Sequence, residues 1–154
     1  MNVIALPSAK ATQALAASLG SRLFGGATLL LQGELGAGKT TFVQGLAQGL
    51  GIPDAITSPT FNLIHEYDQG SLPLIHIDLY RLMPEEVPAL GLEEYWQRQD
   101  AVVAIEWPQR LVELPPEWLW ITLVMVSEQE RELQWQAVGS RHQALLPRAW
   151  AADS

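Results

Sequence analysis

The residues best suited to chemistry in this sequence form a glycine-rich run at positions 33–40, GELGAGKT. The run matches G-x-x-x-x-G-K-[ST], a pattern whose glycines let backbone amides turn inward around a phosphate. Lys39 can reach β- and γ-phosphate oxygens, and the Thr40 hydroxyl can bind Mg²⁺. The alternative is a glycine-rich turn between a strand and a helix in which the lysine has no function. The chain has only two lysines, Lys10 and Lys39, and one of them occupies the position that the pattern requires. The pattern therefore predicts a binding site for a nucleoside triphosphate.

Three polar residues elsewhere could supply the metal and phosphate contacts that phosphoryl transfer needs. Asp78 ends the apolar run LIHI and Glu106 ends AVVAI, so either could hold Mg²⁺ directly or through water. The alternative is that both are ordinary solvent-exposed acids at strand ends. Thr60, in the loop TSPTF, resembles a switch residue that senses the γ-phosphate, or else it serves only the turn around Pro59.

Predicted strands and helices alternate along the chain. Strands are expected at 2–6, 27–32, 62–68, 73–80, 100–107, 118–127 and 131–138. Helices are expected at 9–22 after a Ser8 N-cap, at 39–50, within 84–98, at a turn from Pro108, and over 140–150. This order predicts an α/β, P-loop NTPase-like, three-layer domain with a mixed sheet, in which antiparallel hairpins accompany a parallel core.

The composition is that of a single domain over 1–154, in which 140–154 forms a peripheral C-terminal helix or tail. The absence of cysteine excludes disulfides, zinc–thiolate sites and thiol catalysis. Seventeen acidic against nine basic residues give a net charge of −8, which argues against direct, tight nucleic-acid binding. No apolar run is long enough to span a bilayer, and the first residues do not form a secretory signal. A cytoplasmic protein without membrane contact is expected.

Four short blocks carry a resemblance to a known family. GELGAGKTTF, TSPTF, HIDLYR at 76–81 and IEW at 105–107 closely resemble the signature blocks of the bacterial TsaE/YjeE family, in matching order across 1–140. The resemblance implies an ATPase that uses ATP and Mg²⁺ and is weak alone. It implies a requirement for this protein in forming threonylcarbamoyladenosine at position 37 of ANN-decoding tRNAs. The implied partners are the threonylcarbamoyl transferase subunits, proteins of the TsaD and TsaB families.

The same resemblance implies roles for residues around the phosphates. Those matching the nucleotide-binding loop are Gly33, Gly36, Ala37, Gly38, Lys39, Thr40 and Thr41. Thr40 and Glu106 would coordinate Mg²⁺, and Asp78 would take the Walker-B-like role in turnover. Thr60 would be the switch threonine, so the residues implied in catalysis are Lys39, Asp78 and Thr60.

Three further residues are implied at the edges of the nucleotide. Thr12, on the first helix, would lie close to it, and Arg131 would flank the adenine side. Trp107 looks like the tryptophan that reports nucleotide binding in this family.

Two residues of the HIDLYR block keep two interpretations each. His76 could order the Asp78 carboxylate or be a packed, hydrogen-bonded core histidine. Arg81 could neutralise charge on the γ-phosphate, or it could form a salt bridge with a partner or an acidic neighbour.

Other functional classes use the same loop. A small-molecule kinase would need a lid with several arginines, but the seven arginines here are scattered. A Ras-like GTPase would need an N-K-x-D element, and neither Asn2 nor Asn62 is followed by lysine. A third class is a protein whose binding to a partner depends on the bound nucleotide but which hydrolyses that nucleotide negligibly. It would differ from the ATPase mainly in its rate of hydrolysis.

Overall fold

The strands and helices follow the predicted order. The computed structural model describes residues 2–56 and 63–151, with side chains as far as residue 145. The strands are β1 (Asn2–Leu6), β2 (Thr28–Gln32), β3 (Ile64–Tyr67), β4 (Leu74–Asp78), β5 (Val102–Glu106), β6 (Trp118–Met125) and β7 (Arg131–Val138). The α-helices are α1 (Ala9–Gly20), α2 (Lys39–Gly49), α3 (Glu93–Trp96) and α4 (Ser140–Ala151), with 3₁₀ segments at Pro84–Leu90 and Pro108–Arg110. Among the described helices, none has the length and apolar character needed to cross a membrane.

The strands form one mixed sheet with the order β1-β7-β6-β2-β5-β4-β3. Neighbours among β6, β2, β5 and β4 run parallel, while β3 pairs antiparallel with β4 and β7 with β6. The prediction of a parallel core with two antiparallel hairpins is therefore confirmed. The sequence did not indicate a partner for β1, which lies antiparallel to β7 with Asn2 opposite Trp135.

Apolar residues cover both faces of the sheet, giving the three layers that were predicted. On β2, Leu29 and Leu31 pack into one core cluster with α1 and α2, whereas Leu30 belongs to a second cluster. Because side chains alternate along a strand, the two clusters lie on opposite faces. The second cluster includes Val87 and Leu92, from the chain between β4 and α3. Burial of each leucine contributes roughly 1.5–3 kcal/mol, so the strand that leads into the glycine-rich run at 33–40, the predicted phosphate loop, is fixed from both sides.

Helices α1 and α2 approach each other closely because two glycines of α2 face α1. A Cβ at Gly45 would lie 2.4 Å from the carbonyl oxygen of Gln13, and one at Gly49 would lie 2.1 Å from that of Ala17. Larger residues would therefore push the helices apart. The close approach fixes the start of α2, where Lys39 lies, relative to α1.

Helix α4 confirms the helix predicted for 140–150, and His142 ties its first turn to the sheet. The buried imidazole accepts a hydrogen bond at Nε2 from the Thr28 backbone N–H at 3.0 Å, and it meets the Phe24 ring edge-on. Burial lowers the pKa of His142, Arg141 lowers it further, and Glu117 opposes the shift. Protonation at Nε2 would place one N–H against another, so α4 docks through a neutral histidine.

Acidification is expected to destabilise the protein through His142. Because the folded-state pKa lies below the ordinary value of 6.5, this stabilisation is complete above that value and is lost as the pH falls through the lowered pKa. His142→Gln retains an acceptor but removes the titration. Its Tm should therefore change less between pH 7 and pH 5 than that of the unaltered protein, although its free energy of unfolding at pH 7 should drop by roughly 1–2 kcal/mol.

Thermal denaturation followed by circular dichroism measures both effects. His65→Gln, on the edge strand β3, is the matched control and should keep the pH dependence of the unaltered protein. If His142→Gln keeps that dependence too, His142 is not the responsible group.

Candidate functional site

The loop between β2 and α2 requires glycine at two positions for its backbone angles. Gly36 has φ 81°, and Gly38, the residue before α2, has φ 103°. These left-handed angles are strained for residues that carry a Cβ. Gly33 is needed for space, since a Cβ there would lie 3.0 Å from both the Ala37 Cβ and the Leu123 carbonyl oxygen. The resulting turn lies at the N-terminal end of α2, where the helix dipole favours an anion.

The loop borders a cavity of about 440 Å³ at the carboxyl ends of β4 and β5. Its lining combines loop residues with both predicted acids. The lining residues are Leu35, Gly36, Gly38, Lys39, Thr40, Thr41, Leu63, Asp78, Tyr80, Arg81, Glu106 and Trp107. Most of the residues assigned to phosphates and metal from the sequence therefore meet in one place.

Lys39 is buried at the back of this cavity, with 6% of its surface exposed. Its Nζ donates to the carbonyl oxygens of Gly33 and Glu34, the latter at 3.1 Å, and lies 4.4 Å from the centre of the Trp107 ring. Burial lowers the pKa of Lys39, while the nearby carboxylates, Glu106 foremost, oppose that shift. A polyanion bound in the cavity would stabilise the charged amine in the same way, by supplying negative charge where water is excluded.

Asp78 and Glu106 end the neighbouring parallel strands β4 and β5 and lie opposite each other in register. The Asp78 carboxylate accepts a hydrogen bond from the Tyr80 backbone N–H at 2.9 Å. Burial raises the pKa of Asp78, the Tyr80 N–H opposes that shift, and the Glu106 charge adds to it. The two carboxylates are adjacent, and the ionised form of Asp78 is disfavoured. A cation bound beside them would stabilise that ionised form.

The donor set at this point fits Mg²⁺ better than a cation caged by protein alone. In the described residues, no group of three or more histidine, cysteine, aspartate or glutamate side chains is arranged to hold a metal. Mg²⁺ is commonly bound by one or two carboxylates, with waters and substrate phosphates completing its shell. The Thr40 hydroxyl and the carboxylates of Asp78 and Glu106, all lining one cavity, match that requirement.

His76 contacts Glu106 and not Asp78, which corrects one of its two predicted interpretations. Its Nε2 lies 2.5 Å from Glu106 Oε2, and both side chains are almost completely buried. The side chains at 76, 78, 104 and 106 share a sheet face, and the small Ala104 lies opposite His76 in register. The imidazole can therefore reach along the neighbouring strand to Glu106 and hold its carboxylate in one orientation.

A second cavity, of about 460 Å³, lies on the other side of the loop and shares Gly36, Gly38 and Thr41 with the first. Thr12 lines it; this threonine is buried and donates through Oγ1 to the Ser8 carbonyl oxygen at 3.3 Å. The lining residues are Ser8, Ala9, Lys10, Thr12, Gly36, Gly38, Thr41, Glu128, Gln129 and Arg131. The sequence did not predict that Lys10 would line a cavity. Lysine is rare in this chain, however, and its two lysines line these two cavities, Lys39 the first and Lys10 the second.

Arg131 lines the second cavity and also braces the phosphate loop. Its guanidinium donates to the carbonyl oxygens of Gly36 and Ala37, each at 3.1 Å. It donates as well to the carbonyl oxygens of Ser127 and Glu130, in the turn between β6 and β7, each at 2.9 Å. The side chain therefore couples that turn to the loop, a role that the sequence did not indicate.

Trp107 combines a strained backbone with a central position in the site. Among the described residues it is the only one other than glycine with a positive φ, 62°. Its backbone N–H donates to the Leu31 carbonyl oxygen at 3.2 Å. The centre of its ring lies 5.0 Å from the centre of the Tyr80 ring and 4.4 Å from Lys39 Nζ. Left-handed backbone at a bulky residue costs about 1–3 kcal/mol and persists only where its surroundings enforce it.

Of the remaining predicted residues, one lies outside the described chain, two do not line the first cavity, and Arg81 lies at its mouth. Thr60 falls within 57–62, which the structure does not describe. Gly33 and Ala37 lie behind the cavity wall, where Gly33 accepts a hydrogen bond from Lys39 and Ala37 is buried. Arg81 is exposed and lines the cavity mouth, so the structure does not separate its two interpretations.

Replacing Asp78 with asparagine is expected to stabilise the protein when the cavity is empty and to reduce any hydrolysis of a bound nucleoside triphosphate. Because folding raises the pKa of Asp78, the stability linked to this carboxyl is complete below its ordinary value of 3.8 and is lost as the pH rises through the raised value. A neutral amide avoids that loss and still accepts the Tyr80 N–H. The Tm at pH 7 should rise modestly, and any phosphate release from ATP should fall at least ~100-fold.

Differential scanning fluorimetry at pH 7 and pH 4, with a phosphate-release assay, tests this pair of effects. The stability gain should shrink at pH 4, where the native carboxyl is more fully protonated. Asp54→Asn, on an exposed turn, is the control and should change neither quantity. A drop in Tm at pH 7 would mean that the Asp78 charge stabilises the fold.

Comparisons with known proteins find relatives over most of this chain. The family model described as "Threonylcarbamoyl adenosine biosynthesis protein TsaE" matches residues 6–133. A Nostoc protein named tRNA threonylcarbamoyladenosine biosynthesis protein TsaE is 45% identical over 137 residues, covering 87% of this chain and 85% of the relative. The Bacillus subtilis protein of the same name is 48% identical over 121 residues, covering 78% and 75%. A crystal structure of Bacillus subtilis YdiB superposes with a TM-score of 0.80 at 36% identity, covering 99% of this chain and 96% of that one.

Proposed function

This chain belongs to the TsaE family of threonylcarbamoyl adenosine biosynthesis proteins, and we propose that it binds and hydrolyses ATP with Mg²⁺. Hydrolysis would serve the formation of threonylcarbamoyladenosine in tRNA, together with proteins of the TsaD and TsaB families. The observation that carries the proposal is a buried Lys39 beside Asp78 and Glu106 in one cavity bordered by the phosphate loop. No feature of the described residues favours the small-molecule kinase.

The two adjoining cavities suggest how the nucleotide would lie. The triphosphate would occupy the first cavity, against the loop amides and Lys39. The base would extend into the second cavity, past Thr12 and towards Arg131. A nucleoside triphosphate placed in this way would cross the loop at Gly36 and Gly38, whose missing side chains leave the backbone open to it.

Hydrolysis would depend on charge placed around the γ-phosphate in advance. Lys39 and the loop amides would stabilise the negative charge of the transferring group. When bound, Mg²⁺ would neutralise charge on the β- and γ-phosphate oxygens, and Thr40 and Glu106 would hold it. Asp78 would accept a hydrogen bond from the attacking water, and Thr60 would couple the phosphate state to its loop.

Mass spectrometry of tRNA nucleosides tests the proposed function directly. Cells depleted of this protein should lose threonylcarbamoyladenosine. The unaltered protein should restore it, and Lys39→Met should not, because the variant lacks the phosphate contact. An unchanged level of the modification on depletion would contradict the role in tRNA, and full rescue by Lys39→Met would contradict the need for ATP.

A further inference from the structure

An apolar groove lies on the sheet face opposite α1 and α2, away from the phosphate loop. It encloses about 270 Å³ between the segment after β4 and the segment after β5. Its apolar lining consists of Val87, Pro88, Leu92, Trp96, Leu111 and Val112, and Glu93 and Glu113 lie at its rim. Val112 is 63% exposed and the adjacent Leu114 is 46% exposed, so large apolar side chains reach solvent at its mouth.

The size and chemistry of the groove suit side chains of a peptide better than a metabolite. Its volume lies just below the range of about 300–1,000 Å³ that is usual for small-molecule pockets. Its polar lining residues are two glutamates, and both are exposed. A polar metabolite would find no buried hydrogen-bonding side chain there, whereas one or two apolar side chains would find a matching surface.

Charge around the groove defines the partner further. Residues 83–117 contain eight acidic residues and two basic ones, Arg98 and Arg110. Arg98 is paired with Glu66 and Asp100, at 2.6 and 3.0 Å. Through the described side chains, no cation pairs with either rim glutamate. The rim is therefore complementary to lysine or arginine, and a second copy of this chain, with its net charge of −8, is a poor match.

The groove is built from the two segments that leave the acids of the nucleotide site. The chain runs from Asp78 into the 3₁₀ segment Pro84–Leu90, which forms one wall. It runs from Glu106 through Pro108–Arg110 into residues 111–113, which form the other wall. Arg110 joins the two segments by donating to the Leu82 carbonyl oxygen at 3.3 Å. A change at the nucleotide site therefore has a short covalent and hydrogen-bonded path to the groove.

We propose that this groove docks a segment of a partner protein in which one or two large apolar side chains are flanked by lysine or arginine. The apolar side chains enter between Trp96 and Val112, and the basic residues pair with Glu93 and Glu113. The proposal rests on the proposed function in taking the partner to be a protein of the same tRNA-modification assembly. Docking at the groove is coupled to the nucleotide site through the segments that form its walls.

Site-specific photocrosslinking tests the docking surface. A benzophenone amino acid at Val112 in the full chain should capture one protein at least ~10-fold more than the same residue at Val3, which is 44% exposed on β1. The crosslinked peptide should carry an apolar residue flanked by lysine or arginine. With that captured protein purified, Val112→Lys should weaken binding at least ~10-fold and Val3→Lys less than ~2-fold.

Three results would overturn the docking site. They are equal capture at Val112 and Val3, capture of a second copy or an RNA, and a crosslinked peptide without basic residues. Threonylcarbamoyladenosine measured in the same cells separates this proposal from the proposed function. If the level of threonylcarbamoyladenosine is restored normally but no protein is captured at Val112, only the docking proposal is contradicted. If a segment with an apolar residue flanked by lysine or arginine is captured but threonylcarbamoyladenosine is not restored, only the proposed function is contradicted.

Discussion

Replacing Lys39 with methionine is expected to weaken ATP binding at least ~100-fold while leaving the protein folded. In the proposed site the lysine would supply charge-assisted hydrogen bonds to phosphate oxygens, and such bonds contribute about 1.5–3 kcal/mol each. Methionine keeps an unbranched apolar side chain of similar length and lacks only the amine, which lies 4.4 Å from the centre of the Trp107 ring. The fold should survive because burial lowers the pKa of Lys39, so the folded protein stabilises the charged amine less well than water does. Isothermal titration with ATP and Mg²⁺ measures the affinity, and circular dichroism measures the fold.

Arg22→Met is the matched control for this substitution. It removes the same unit of positive charge from an exposed position after α1. Its ATP affinity should stay within ~2-fold of the unaltered protein. If Lys39→Met binds ATP as tightly as this control, the loop at 33–41 is not the phosphate site.

Replacing Glu106 with glutamine is expected to separate metal-dependent from metal-independent nucleotide binding. In the presence of Mg²⁺ the affinity for ATP should fall roughly 10–100-fold, because the carboxylate proposed to bind the metal, which His76 contacts, is lost. Without Mg²⁺ the affinity should be unchanged or slightly tighter, since one negative charge beside the triphosphate is removed. Titrations with Mg²⁺ and with a chelator give the two values. Glutamine retains the size of the side chain, which protects the buried packing around His76.

Glu85→Gln, on the exposed 3₁₀ segment after β4, controls for the change in net charge. It should leave both affinities within ~2-fold. Equal losses with and without Mg²⁺ in Glu106→Gln would assign Glu106 a structural role through His76 and leave the metal to other groups.

Local patterns in the sequence predicted the framework of the site. The P-loop pattern combines fixed residue types with a strand before it and a helix after it, so its position follows from about twelve neighbouring residues. Apolar runs that end in Asp78 and Glu106 predicted two buried strands, and parallel strands present their carboxyl ends at one edge. Each of these inferences depends on residues close together in the chain. They agree with the structure for that reason.

Contacts between distant residues were not predictable in the same way. Whether His76 contacts the carboxylate of Asp78 or that of Glu106 depends on the register of β4 against β5. No residue type in the sequence determines that register. Arg131 reaches Gly36 across 95 positions, and Thr28 reaches His142 across 114. Lys10, on α1, lines the second cavity together with Arg131 of β7, which is far from it in the chain. The structure leaves the switch role of Thr60 a prediction, since this residue lies outside the described ranges.

The pairing of β1 with β7 has a consequence for synthesis of the protein. Ribosomes add about 5–20 residues per second from the N-terminus, so Asn2 cannot pair with Trp135 until β7 has been made. Strand β2 likewise emerges long before β5 and β6, the strands that flank it in the sheet. A nascent chain that stops before residue 131 has the complete phosphate loop but lacks the strand that covers β6 and β1, leaving edges prone to aggregation. We therefore expect a ligand of the cavity beside this loop to stabilise a nascent chain only after β7 has been made.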